Sequence, residues 1–112
     1  MILKWSPTPK KVRIVIQRII EISHPKKLIL FGSYIRGEMH QNSDLDILVV
    51  TCDDIENTRR EGIRIRRCLK GMLIPMDIIV VRESLLEELK DAPGLIYREI
   101  IRNGEVVYES QR

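Results

Sequence analysis

Residues 28–50 read LILFGSYIRGEMHQNSDLDILVV, and both the fold and the chemistry turn on this stretch. Residues 28–31 form a short unbroken apolar run, the pattern of a strand buried on both faces. The run stops at Gly32-Ser33, after which a short helical segment is expected to run on through Ile35 and Arg36 to Gly37. Residues 38–43 are polar and read as a loop. Residues 44–50 then form a second buried strand that opens on two acids, Asp44 and Asp46. Charge at the head of an otherwise apolar strand is costly unless something compensates it.

Upstream, Thr8 is placed to cap a helix that has Pro9 in its first turn. Val12, Val15, Ile16, Ile19 and Ile22 recur at helical spacing, with Arg13, Gln17 and Glu21 left outside, and His24-Pro25 ends the run. Downstream, Asp53-Asp54 is positioned to start a long basic helix through Lys70, with Gly71 beyond its end. Pro75 precedes a third strand over 76–81. Ser84 is expected to cap a short helix over 85–90, and residues 95–102 form another, stopped by Asn103-Gly104. Residues 105–108 alternate weakly, as an edge strand does.

This order predicts one α/β domain over residues 1–112: a mixed sheet of about four strands flanked by helices. If Gly32-Ser33, Asp44 and Asp77 share one end of the sheet, strand 1 runs antiparallel to strand 2. Strands 2 and 3, joined by a helical crossover, then run parallel.

That arrangement carries chemistry. Side chains alternate along a strand, so Asp44 and Asp46 share a face about 7 Å apart. Asp77 starts the neighbouring parallel strand, where it can converge on them. Unit charges ~4 Å apart repel by ~4 kcal/mol at an effective dielectric near 20. Either some of these acids protonate or divalent cations neutralise them. All-oxygen ligation suits Mg²⁺ or Mn²⁺, and two such ions can activate an attacking oxygen and stabilise a leaving pyrophosphate. Gly32 allows close backbone approach to a phosphate, while the helix start and the Ser33 hydroxyl supply donors.

The run GSYIRGEMHQNSDLD, with Gly-Ser, ten residues, Asp-x-Asp and then the Asp of MDIIVV, resembles the minimal nucleotidyltransferases of the DNA polymerase β superfamily. These are the small partners of HEPN-domain proteins in toxin–antitoxin pairs. The resemblance implies a nucleotidyltransferase fold, with Gly32 and Ser33 binding the triphosphate and Asp44 and Asp46 holding both metals. Asp77 would hold the catalytic metal and help deprotonate the acceptor. Arg36 and Gly37 match the family's frequent Arg-Gly. By the same resemblance the reaction is transfer of AMP from ATP, with Mg²⁺, to a tyrosine of a HEPN toxin. The alternatives are an antitoxin that neutralises its partner by occlusion, and a transferase acting on small molecules of the antibiotic kind.

The 112 residues are 44% hydrophobic and 31% charged with a net charge of +3, which suits a nucleotide ligand without requiring a polymer. Few aromatics argue against a base-stacking surface, so nucleic acid is not the expected substrate. Cys52 and Cys68 lack CxxC spacing and read as packing residues in a reducing cytoplasm. Neither a signal peptide nor a membrane span is evident. A homo-oligomer is left open. Arg36 has two readings, a phosphate contact or an ion pair with a site carboxylate. The run Arg59, Arg60, Arg64, Arg66, Arg67, Lys70 reads first as a solvated helix face and second as a surface for an acidic partner or RNA. His24 and His40 read as surface residues. Ser33 lacks the surroundings of a nucleophile.

Overall fold

A computed structural model describes residues 8–38 and 44–111. Helix α1 (Pro9–Ser23) leads into strand β1 (Lys27–Phe31), a one-turn helix α2 (Ser33–Arg36) and strand β2 (Leu45–Thr51). Helix α3 (Thr58–Cys68) crosses over to β3 (Met76–Arg82). Helices α4 (Glu83–Leu89) and α5 (Ile96–Asn103) precede the last strand, β4 (Glu105–Glu109). The sheet order is β3-β2-β1-β4, with β1 antiparallel to both β2 and β4 and with β2 parallel to β3.

The expected alternation is visible in the core. Leu28 and Leu30 of β1, Ile47 and Val49 of β2 and Ile78 of β3 meet Val12, Val15 and Ile19 of α1 and Ile65 of α3 on one face. Ile29, Phe31, Leu48, Val50 and Val81 meet Leu86 of α4 and Ile100 of α5 on the other. The two central strands are therefore covered on both sides, which is why they carry unbroken apolar runs. Helix α1 begins as expected, with the Thr8 side chain accepting from the Lys11 amide, and ends at His24 in the left-handed region.

Two helix starts differ from expectation. Helix α3 starts at Thr58, capped by the Asn57 side chain accepting from the Arg60 amide, and not at Asp53-Asp54. Asp53 is used elsewhere: its carboxylate accepts from the Ser84 amide and so caps α4 from across the fold. Ser84 lies inside α4 and its side chain caps nothing. The segment between is fixed by Arg82, whose guanidinium donates to the carbonyls of Ile55, at 2.7 Å, and Glu56. Cys68 is exposed rather than a packing residue, because α3 ends there and presents it outward. The polar loop, with His40 in it, falls largely on residues 39–43, outside the described residues.

Candidate active site

Two strand ends and a turn build the site. In the register of the sheet Phe31 lies opposite Asp46, and Asp46 lies beside Asp77. Asp46 and Asp77 alternate with Ile47 and Ile78, so both carboxylates sit on the face covered by α4 and α5. Asp44 precedes β2 by one residue, is exposed, and by the same alternation belongs to that face. Immediately after Phe31 the chain turns at Gly32, with φ +74° and ψ −151°, a conformation a side chain would strain. A Cβ at Gly32 would also run into the Asp46 carboxylate. Backbone turn and acid are thus in direct apposition, and only glycine fits between.

Helix α2 closes with Gly37 in the left-handed region, its amide bonded back towards Ser33 and Tyr34. Its first-turn amides have no intrahelical partner and flank the Ser33 hydroxyl. Arg36 leans back to Ser33 Oγ at 3.5 Å and pairs with Glu38 at 3.0 Å. Of its two expected readings, then, the ion pair exists but with Glu38, the nearest carboxylate in sequence, and not with a site aspartate.

The electrostatics single out Asp46. Partial burial, then Asp77, then Asp44 push its carboxyl above the ordinary value, while Arg36 acts in the opposite sense. Asp77, half-exposed, is held 3.7 Å from the Arg66 guanidinium. Among the described residues no three His, Cys, Asp or Glu side chains are gathered closely enough to grip an ion as they stand. The donor set nonetheless fits a hard divalent cation: carboxylate oxygens only, at a place where negative charge is already strained.

A cleft of about 570 Å³ opens on these groups, lined by Gly32, Arg36 and Asp46 on one side and by Ile96, Glu99 and Asn103 of α5 on the other. The α5 wall was not legible in sequence, since nothing local tells residues 96–103 that they will face residue 46. The same is true of Arg66, which reaches round the edge of β3 from the opposite helical layer.

A Gly-Ser turn is thus apposed to in-register aspartates at one end of a mixed α/β sheet. The chain belongs to the polymerase beta nucleotidyltransferase family, whose model matches residues 15–112, and it is a nucleotidyltransferase. It is 35% identical over 86 residues to the "Putative protein adenylyltransferase MJ0604" of Methanocaldococcus jannaschii, covering 74% of this chain and 78% of that one. It is 25% identical over 85 residues to the protein adenylyltransferase MntA of Shewanella oneidensis, covering 76% of this chain and 55% of MntA. Its fold is that of a toxin–antitoxin crystal structure with AMP-PNP, with TM-score 0.56, 23% identity and coverage of 90% and 74% of the two chains. No described helix is long and apolar enough to cross a membrane.

Proposed function

We propose that residues 1–112 act as one domain that transfers AMP from ATP to a hydroxyl of a partner protein, a tyrosine of a HEPN-type toxin, and thereby serve as the antitoxin. The observation that carries this is the in-register pair Asp46–Asp77 beside a glycine turn that admits no side chain. The names of the two adenylyltransferase relatives and the toxin–antitoxin fold neighbour support the choice of a protein acceptor.

Gly32 and Ser33 bind the triphosphate through backbone amides and the hydroxyl. Asp44, Asp46 and Asp77 would hold Mg²⁺, or Mn²⁺ in its place. Bound there, such ions supply charge neutralisation for the phosphates and lower the pKa of the acceptor hydroxyl. The acceptor oxygen attacks the α-phosphorus, its bond to the β-bridging oxygen breaks, and pyrophosphate leaves with the electron pair. Asp77, more exposed than its neighbour Asp46, takes the hydroxyl proton. We assign the reaction to the cytoplasm, where Cys52 and Cys68 stay reduced.

Incubation with α-labelled ATP, Mg²⁺ and the product of the neighbouring gene tests this. Label is expected on the partner and is expected to vanish with Asp44→Asn. Neutralisation that persists without label in the Asp44→Asn/Asp46→Asn double variant would establish occlusion instead. Label on a small molecule alone would establish the antibiotic-type reaction.

A further inference from the structure

Outside the site, the most distinctive surface lies where α3 meets the outer edge of β3. Two adjoining clefts there, of about 630 and 410 Å³, share Ile63, Arg66 and Ile78 and together form one groove. Its floor and lip are apolar. Ile63 is 42% exposed and Leu73 61%. Leu73 moreover sits at φ +56°, a conformation an aliphatic residue rarely keeps, and it is held outward there. The rim is cationic: Arg59, Arg66, Arg67 and Lys70 line it, with no acid among the described lining residues. Of these, Arg66 reaches the site, donating to the Ile78 carbonyl at 3.0 Å and lying 3.7 Å from Asp77.

We propose that this groove is the docking surface for an acidic, amphipathic segment of the partner protein, which holds the acceptor hydroxyl beside Asp77. The proposal rests on the reading of the chain as a protein-modifying transferase. Charge complementarity chooses the occupant. Four cations around an apolar centre match a segment with acids on its flanks and aliphatic side chains between them. A second copy of this chain fits poorly, because a twofold contact would set one cationic rim against the other. RNA would satisfy the arginines, but it would leave Ile63 and Leu73 uncovered and finds no aromatic side chain among the described lining residues to stack on. An acid of the incoming segment also competes with Asp77 for Arg66, so docking and release of a site carboxylate are linked.

The test is an NMR titration of the ¹⁵N-labelled chain with three probes of about 20 units: a Leu/Glu amphipathic peptide, its Leu/Lys counterpart and a single-stranded RNA. Saturable shifts confined to residues 59–80 are expected with the Glu peptide alone, at a Kd of about 10–100 µM. Leu73→Glu and Arg67→Glu, both at exposed positions, should each weaken it at least about tenfold while leaving the α1 amides unmoved. Absence of saturable shifts, shifts centred elsewhere, or tighter RNA binding at the same residues would overturn the proposal. A separate titration with ATP and Mg²⁺ reports at Gly32 and Asp46. Silence there with a responsive groove sinks the transferase reading and with it the placing of an acceptor at Asp77, leaving only a peptide-binding groove; the converse sinks only the groove.

Discussion

Gly32 shows how little room the site leaves. Its positive φ and the Asp46 carboxylate packed against it exclude even a methyl group. Gly32→Ala should therefore displace either the turn or the acid, and the proposed nucleotidyl transfer should fall by about a hundredfold, as when reacting groups are misplaced by an ångström. Circular dichroism checks that the fold persists. Asp46 is the carboxylate whose ionisation burial and its two acidic neighbours oppose. A divalent cation bound there should stabilise the chain, by about 2.7 kcal/mol at a hundredfold excess over Kd. Thermal melting with and without Mg²⁺ measures this. The shift should be lost in Asp46→Asn, and that variant without metal should melt no lower than the wild type.

The crossover helix is anchored by an acid that sequence alone would place on the surface. Glu61, 7% exposed, accepts from Arg64 at 2.8 and 2.9 Å and from the Ser23 hydroxyl at 2.7 Å, which ties α3 to the end of α1. The Arg64 hydrogen bonds, and after them the one from Ser23, hold its carboxyl below the ordinary value in spite of burial. A lowered folded pKa gives stability that is present above the unfolded value of 4.5 and is lost as pH falls through the folded one. Glu61→Gln should thus cost about 1–3 kcal/mol at pH 7, and the difference from wild type should close in acid, as urea melts across pH 3–7 would record. The basic residues of the run Arg59 to Lys70 are exposed throughout, and two of them, Arg64 and Arg66, also carry ion pairs, with Glu61 and Asp77.

At the scale of the whole molecule, the sheet is the scaffold on which everything else is hung. Leu48, wholly buried at the centre of β2, packs into the cluster under α4 and α5, two residues beyond Asp46 on the same face. Leu48→Ala should cost about 2–5 kcal/mol in equilibrium unfolding. Substitution at Gly104 should likewise be felt across elements, since a Cβ there would lie 2.5 Å from the Ile100 carbonyl and 2.8 Å from Ile29. That closeness lets α5 turn straight into β4 and brings its outer residues over the cleft. Gly104→Ala should cost about 1–3 kcal/mol, read in the same unfolding experiment, by forcing backbone apart.

The apolar runs at 28–31, 44–50 and 76–81 were enough to locate the first three strands of the sheet, and placing their glycine and acidic ends at one edge gave the antiparallel and parallel pairings that the sheet has. Burial on both faces leaves a continuous signature, and period-two alternation puts Asp46 and Asp77 on one side without further information. The reach of Arg66 round β3, the capping of α4 by Asp53, the α5 wall of the cleft and the pairing of Arg36 with Glu38 belong to the tertiary structure. Long charged side chains and exposed turns have many partners of nearly equal energy, and only the packed arrangement of helices on the sheet selects among them.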